Sequence, residues 1–340
     1  MRGCSFTGRG GRGSAKRLPG GGAPAARRRA GGLTLIELLV SIAILAVMIL
    51  AFSTIVVQAQ RFSTIARAMR RSNQVASSIA RAIRNDLRQA TQDGFLAIKQ
   101  PAAGAAPVLV VTTAGVCQSL TTGETSTGSF VCYGQVGNQA APSDQNNRIL
   151  CRPAYVLKAS GSPPTESLLA GTDIWDIDMA QLQKKKRADV KTLVSSVAVQ
   201  TTSASLRVPA ANLTDIDNLW QVLGYRVSRL SILWTNGSFD ATGTKVTNPN
   251  RDNMYWRGVE WDDASGSWQV RTPASAKFPS SGIEESTSPY FALWTHHDQT
   301  LWPAAVRIRF RILDPLLPRE FKGRGGAPGL DYEVICNIGQ

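Results

Sequence analysis

The chain contains few of the residues on which most catalytic and metal sites depend. Among 340 residues there are two histidines, His296 and His297, and five cysteines. The histidines are adjacent, so they cannot share a helix face at metal-ligand spacing. No cysteine pair has C-x-x-C spacing, and there is no P-loop, no G-x-S-x-G elbow and no G-x-G-x-x-G that opens a helix. Zinc binding, nucleotide binding and enzyme function are therefore not indicated.

Acidic residues are absent from the first 32 positions, which carry eight lysines and arginines. Residues 33–100 hold eight basic side chains against Glu37, Asp86 and Asp93, whereas residues 101–340 hold 22 basic and 21 acidic ones. The formal charge of +14 thus belongs to the two N-terminal stretches. Because the large downstream part is nearly neutral, we expect no nucleic-acid surface on it.

Proline is absent between Leu33 and Gln100, and residues 33–57 are apolar apart from one charged residue, Glu37. A helix of that length would measure about 37 Å, enough to cross a bilayer core of about 30 Å. Three arginines, Arg27, Arg28 and Arg29, precede the apolar run. The positive-inside rule then predicts a single-pass protein with a cytoplasmic N-terminus and residues 58–340 on the far side of the membrane.

A small pair, Gly31-Gly32, stands before the apolar run, whereas a secretory signal has its cleavage site after such a run. A cut after Gly32 would remove the basic leader 1–32 and leave the span attached. Leu33 would then carry a free amine four residues from Glu37. A carboxylate in a membrane segment usually has a partner, and we expect the amine of one subunit to pair with Glu37 of its neighbour.

The run Gly32-Leu33-Thr34-Leu35-Ile36-Glu37-Leu38-Leu39-Val40 resembles the type IV prepilin motif, which type II secretion pseudopilins share. The resemblance implies that a prepilin peptidase cuts after Gly32 and that Leu33 becomes the N-methylated first residue. It also implies that Glu37 is the assembly glutamate at the fifth mature position. This chain departs from the motif in having Leu33 in place of phenylalanine and in the length of its leader.

Beyond the span, residues 58–93 are predicted to continue the helix as an amphipathic segment. Apolar residues recur every three, four or seven positions and define one face, and arginines cover much of the remainder. We expect the apolar face to pack on a globular domain, 94–340. The arginine face suits anionic lipid, acidic surfaces of other subunits, or solvent alone. The apolar positions are Phe62, Ile65, Met69, Ala76, Ile79, Ile83, Leu87 and Ala90.

Residues 94–340 are rich in short β-like runs between polar turns, which predicts an α+β fold with a mainly antiparallel sheet packed on the long helix. The clearest strand is Val306–Leu313, where apolar residues alternate with Arg307, Arg309 and Arg311. The other candidate strands are Val108–Thr112, Phe130–Tyr133, Ala154–Leu157, Leu193–Val199, Tyr225–Trp234, Tyr255–Trp261 and Ser267–Thr272.

The order of the helix, strands and C-terminal run along the chain resembles the order in large minor pseudopilins of the J type, or in their W-type counterparts in pili. The resemblance depends on Asn85-Asp86-Leu87-Arg88 at the helix end, the strand Tyr225–Trp234, and Trp302-Pro303-Ala304-Ala305-Val306-Arg307. It implies a subunit that initiates or caps a filament. A bulky domain also favours a low-copy subunit.

Two further sets of residues are candidates for stabilising the domain. The four downstream cysteines are an even set, which in an exported domain fits disulfides in any of three pairings, with free thiols as the alternative. Asp173, Asp176 and Asp178 form an acidic cluster that could bind calcium, but the cluster does not match an EF-hand loop and solvated turns explain it more simply. No other cofactor is expected. The cysteines are Cys117, Cys132, Cys151 and Cys336.

The sequence thus favours a structural protein, a processed minor pilin or pseudopilin of the bacterial inner membrane with a periplasmic domain. Its expected partners are other pilin subunits, the prepilin peptidase, the inner-membrane assembly platform and membrane lipid. Two alternatives remain at this point. One is an uncleaved, signal-anchored binding or sensor module, and the other is a membrane-tethered hydrolase.

Overall fold

The computed structural model describes residues 34–120, 122–136, 149–158, 173–197, 222–237, 254–271, 284–287, 289–321 and 327–338. The predicted leader, Gly32 and Leu33 lie outside the described residues. The chain divides into two compact units, Met1–Gln58 and Ala59–Gln340. The expected α+β class is confirmed, since a long N-terminal helix is followed by a mostly antiparallel sheet domain.

Helix α1 extends over 54 residues, Leu35–Arg88, without a proline to interrupt its hydrogen bonds. It ends five residues before Asp93, the predicted limit of the amphipathic segment. In the second unit one face of α1 is buried through Ala76, Ile79, Ile83 and Leu87, as its periodicity predicts. The predicted face does not extend to Phe62, whose side chain is 70% exposed.

The described part of the second unit contains two β-sheets. The nine-stranded sheet has the order β11-β12-β1-β2-β3-β4-β7, with β5 beside β3 and β6 beside β5, and only the β5–β6 pair among its described pairs is parallel. The five-stranded sheet has the order β10-β9-β8-β13-β14 and is antiparallel throughout. Two short helices, α2 (Met179–Lys184) and α3 (Arg187–Ser196), precede β7. The strands are β1 (Phe95–Lys99), β2 (Val108–Gln118), β3 (Thr125–Val136), β4 (Ile149–Cys151), β5 (Ala154–Leu157), β6 (Ile174–Trp175), β7 (Val222–Tyr225), β8 (Val227–Thr235), β9 (Arg257–Asp262), β10 (Ser267–Arg271), β11 (Glu284–Thr287), β12 (Tyr290–Thr295), β13 (Ala305–Leu313) and β14 (Gly329–Asn337).

Both faces of the nine-stranded sheet are covered, so its central strands are buried on both sides. In β1, Leu96 and Ile98 join a core that contains the buried face of α1 and the inner face of the five-stranded sheet. Phe95 and Ala97, which point to the opposite face, join a second core with residues of α2 and α3. Strand β1 lies between β2 and β12, and Phe95 is paired with Thr295.

Most predicted strands are present, and several are longer than predicted. Ala154–Leu157 is a strand with the predicted bounds, and the predicted Val108–Thr112 is the first part of β2. The predicted strand Leu193–Val199 is wrong, because Leu193 to Ser196 belong to helix α3. The buried residues Val190, Leu193, Val194 and Val197 recur at helical spacing. The valines of this segment favour a strand by their type, whereas their spacing matches one face of a helix.

Strand β13 has the predicted alternation on its apolar side, since Val306, Ile308, Phe310 and Ile312 are buried. Its arginines are paired rather than free. The Arg307 Nε donates to Glu333 Oε2 over 2.9 Å, Arg309 pairs with Glu260, and Arg311 pairs with Asp331 at 2.7 Å. Arg311 is only 4% exposed and also donates to the Phe321 carbonyl. The predicted basic face is therefore largely neutralised by cross-strand carboxylates.

The C-terminus of α3 is capped by a buried lysine from β1. The Lys99 Nζ donates to the carbonyls of Val194 at 2.5 Å and Ser195 at 3.0 Å, and also to that of Val197. Burial lowers the pKa of Lys99 to about 8, so most of the ammonium persists at neutral pH. A positive charge with three donors satisfies carbonyls that have no partner within the helix.

Replacing Lys99 by methionine should destabilise the second unit by about 2 kcal/mol, because buried carbonyls lose their donor. The measurement is urea unfolding of the detergent-solubilised full-length protein, followed by tryptophan fluorescence. Lys184→Met is the control, because Lys184 is exposed in the last turn of α2. Equal free energies of unfolding for the two variants would contradict the capping role.

Candidate functional site

Helix α1 begins with a reciprocal capping pair that contains the only charged residue between positions 34 and 60. The Thr34 backbone N–H and Oγ1 each donate to Glu37 Oε2 over 3.0 Å, and the Glu37 backbone N–H donates to Thr34 Oγ1 over 3.4 Å. This is the T-x-x-E capping box, which satisfies N–H groups left free at a helix start. Sequence reasoning missed it, although the spacing of Thr34 and Glu37 would have been sufficient to predict it.

The hydroxyl groups in the apolar part of α1 are satisfied within the helix. Ser41 donates to the Glu37 carbonyl over 2.7 Å, Ser53 to the Ile49 carbonyl over 2.7 Å, and Thr54 to the Leu50 carbonyl over 2.8 Å. Each bond runs from a side chain to the carbonyl four residues earlier. These groups therefore need no water, which suits a segment surrounded by hydrocarbon.

Every described side chain of the first unit is exposed. Leu35 is 78% exposed and Leu50 is 72% exposed, and the large apolar residues between them are also exposed. Helix α1 is long and apolar enough to cross a membrane. An uncovered apolar surface of this kind marks a membrane or protein contact, so lipid or other helices must cover it.

Comparison with protein families gives one match in this region. Residues 27–53 match the model of the prokaryotic N-terminal methylation motif. The chain has a prepilin-type N-terminus. The match includes the arginines before the glycine pair, Glu37 and most of the apolar run. No curated protein and no solved structure matches the chain.

The prepilin-type motif indicates a pilin-like or pseudopilin-like protein that a prepilin peptidase processes. It also indicates a structural subunit rather than an enzyme, and a protein anchored in the membrane by its apolar helix. The motif ends at residue 53. The second unit therefore lies almost entirely outside the matched residues.

A buried ion pair joins α1 to the nine-stranded sheet in the second unit. Arg152 approaches Asp86 with two nitrogens, Nε to Oδ2 at 2.6 Å and Nη2 to Oδ1 at 2.7 Å. The hydroxyl of Tyr133, on β3, also donates to Asp86 Oδ2. Burial, and then the charge of Asp86, raise the pKa of Tyr133, so the hydroxyl remains a donor. Asp86 is thus an anchor point between helix and sheet.

The candidate calcium ligands are each held by a different protein group. Ser119 Oγ and the Leu120 N–H donate to Asp173, the latter over 2.7 Å. Lys158 pairs with Asp176 at 2.8 Å, and Asp178 caps α2 by accepting from the Gln181 N–H over 2.6 Å. Among the described residues no group of three acidic, histidine or cysteine side chains is placed to hold a metal ion. These contacts give the aspartates structural roles.

The four described cysteines are free thiols, so the structure contains none of the expected disulfides. Cys132 and Cys151 lie in the core beside α2 and α3, Cys336 lies in the core beside α1, and Cys117 donates to Ser129 Oγ over 3.2 Å. Burial raises the pKa of both Cys132 and Cys151 to about 12. These two thiols are therefore protonated and unreactive at neutral pH.

The two histidines lie against the loop between α2 and α3 rather than in a catalytic arrangement. Their rings are 3.8 Å apart, and a His297 ring nitrogen lies 3.2 Å from the Lys185 carbonyl. Burial, with a smaller effect of His297, lowers the pKa of His296. Arg187, from the basic run 184–187, pairs with Asp298. The two histidines therefore contribute to packing at this loop.

Proposed function

We propose that the chain is a minor pilin or pseudopilin subunit that is cut after Gly32 and methylated at Leu33. It joins a type IV pilus or a type II secretion pseudopilus through helix α1, at the tip or as initiator. The observation that carries this proposal is the exposed apolar first part of α1, whose only charged residue before Arg61 is Glu37, at fixed spacing from a glycine pair within a methylation motif.

The geometry of the first unit supports assembly through the helix. A row of exposed leucines, isoleucines and valines gives neighbouring helices a continuous apolar surface, and the serine and threonine hydroxyls are already satisfied. Glu37 is the one residue in this surface whose charge can pair with an opposite charge on a neighbouring subunit. The amine created at Leu33 by cleavage would be that charge, paired between subunits in lipid.

The second unit supports a low-copy position. It contains 282 residues, from Ala59 to Gln340, and a unit of that size is difficult to repeat along a thin filament. The arginines of the leader favour an N-terminus on the cytoplasmic side, where the peptidase acts, and hence a periplasmic second unit. The assembly platform and the other pilin subunits are the partners that this role requires.

Replacing Gly32 by leucine should block processing, because a bulky side chain next to the scissile bond obstructs the peptidase. The protein is expressed with a prepilin peptidase, extracted from membranes and measured by intact mass spectrometry. The unmodified chain should lose residues 1–32 and gain one methyl group, whereas Gly32→Leu should retain its full mass.

Gly22→Leu is the matched control, since it adds the same side chain within the leader and away from the cut. It should be processed like the unmodified chain. If the unmodified chain keeps its leader in the presence of the peptidase, the protein is instead an uncleaved, signal-anchored module. Processing of Gly32→Leu at the same position would contradict the assignment of the cleavage site.

A further inference from the structure

The second unit contains a basic groove between helix α1 and the edge of the five-stranded sheet. Its volume is about 740 Å³. The helix contributes three arginines and two asparagines to the rim, and the sheet contributes residues of β13 and β14. We name this feature the basic groove, lined by Asn73, Ala76, Ser77, Ala80, Arg81, Arg84, Asn85, Arg88, Phe310, Tyr332, Glu333 and Val334.

The three arginines of the basic groove share one face of α1. Arg81, Arg84 and Arg88 are spaced by three and four residues, so they lie one above another. All three are exposed, and none forms a hydrogen bond or ion pair within the described part of the chain. Asp86, the acidic residue nearest in sequence, faces the other way and is bound by Arg152.

The arginines of the adjacent five-stranded sheet, unlike those of the basic groove, are paired with carboxylates. Arg307, Arg309 and Arg311 each have a carboxylate partner within the unit, as described above. Glu333, the acidic residue among the lining residues, is bound by Arg307 at 2.5 Å and leaves the helix arginines unneutralised. Three adjacent like charges without counter-charges repel one another, and an acidic partner would relieve that cost.

The walls of the groove indicate what kind of acidic partner fits. Ala76 and Phe310 lie almost fully buried at its base, and Tyr332 of β14 donates to Asn73 Oδ1 over 2.8 Å across it. Strand β14 is an edge strand in the described part of its sheet. An edge strand offers backbone groups to an added strand. Alternate residues of an extended chain are about 6.6 Å apart. The three arginines are separated by roughly 4.5 and 6 Å of helix rise, a difference that long, flexible arginine side chains can span.

From this geometry we propose that the basic groove binds an acidic, extended segment of another protein. The segment lies along β14 and directs alternate carboxylates to Arg81, Arg84 and Arg88, while its intervening side chains point to the opposite face of the extended sheet. A lipid headgroup would use the arginines but would leave the strand edge unused. The proposal goes beyond the filament role and does not depend on cleavage after Gly32.

The test uses the full-length protein in zwitterionic detergent. The probe is a fluorescent ten-residue peptide in which glutamate alternates with valine and threonine, and fluorescence anisotropy measures its binding. A glutamine version of the same peptide should bind about tenfold or more weakly, because charge-assisted bonds are roughly twice as strong as neutral ones and three are lost. Binding should also weaken as salt is raised.

Two triple variants separate the groove from general positive charge. R81Q/R84Q/R88Q should weaken peptide binding about tenfold or more, whereas R61Q/R67Q/R71Q should change it less than about twofold. Both sets are exposed on α1 and remove the same charge, but the second lies outside the groove. Tryptophan fluorescence checks that both variants remain folded.

Two results would overturn the proposal. The first is absence of peptide binding, and the second is an equal loss of binding in the two triple variants. If the peptide fails to bind while vesicles that contain phosphatidylserine bind with dependence on the three groove arginines, the basic groove is instead a lipid contact. None of these outcomes affects the mass measurement that tests processing.

Discussion

Replacement of Asp86 by alanine is expected to lower the free energy of unfolding of the second unit by about 3 kcal/mol. The substitution leaves Arg152 without its bidentate partner and Tyr133 without its acceptor, and breaking a buried pair by removing one member costs about 3–5 kcal/mol. We expect the lower end because the Arg152 side chain is 30% exposed and can recover some hydration.

Urea unfolding of the full-length protein in detergent, followed by tryptophan fluorescence, measures this effect. The eight tryptophans lie between positions 175 and 302, so their signal reports on the second unit rather than on the apolar segment of α1. Asp93→Ala is the control, because Asp93 is exposed just beyond α1 and should cost less than about 0.5 kcal/mol.

A double-mutant cycle distinguishes the ion pair from other effects at this position. Because Asp86 and Arg152 contact each other directly, Asp86→Ala combined with Arg152→Ala should cost less than the sum of the two single variants. Strict additivity would show that the pair contributes no coupling energy, and the anchoring role of Asp86 would then be wrong.

Replacement of Glu37 by alanine is expected to permit processing and to abolish most incorporation into filaments. Alanine removes both the capping contact with Thr34 and the charge that would pair with a neighbouring amine. Glu37→Gln separates the two roles, since glutamine can also complete a capping box but carries no charge. If charge pairing governs assembly, the glutamine variant should fail as severely as the alanine variant.

The measurement compares the amount of mature protein in sheared filament fractions with the amount in membranes. Thr34→Ala provides the reverse control, because it removes the cap and retains the charge. A filament fraction that is normal in Glu37→Gln but low in Thr34→Ala would assign Glu37 to helix capping alone. Intact mass confirms that each variant is cleaved before its assembly is compared.

The N-terminal region could be predicted from the sequence because its signals are local. A glycine pair, a glutamate five residues later and a long apolar run depend on spacing alone, and the match at residues 27–53 covers the same segment. Strand β13 and the buried face of α1, Ala76–Leu87, could also be predicted, because each element buries one face and therefore has a periodic pattern of apolar residues. The α+β class follows from these elements.

The features that the sequence did not reveal depend on distant partners or on burial of both faces. Strands β1 and β12 are buried on both sides and have no alternation, so neither was predicted. The partners of Asp86 are 47 and 66 residues away. Asp86 lies three residues after Ile83 and directly before Leu87, two residues of the buried face, and this was nevertheless a signal, because an acid at such a position requires a partner.

The pairing of β1 with β12 has a consequence for the order of events in the cell. Phe95 of β1 pairs with Thr295 of β12, about 200 residues later in the chain. Almost the whole second unit must therefore be available before the nine-stranded sheet can close, and long-range pairing of this kind is slow. Until then the edge of β1 that receives β12 is open to misassembly, which makes a chaperone that shields nascent strands valuable to this protein.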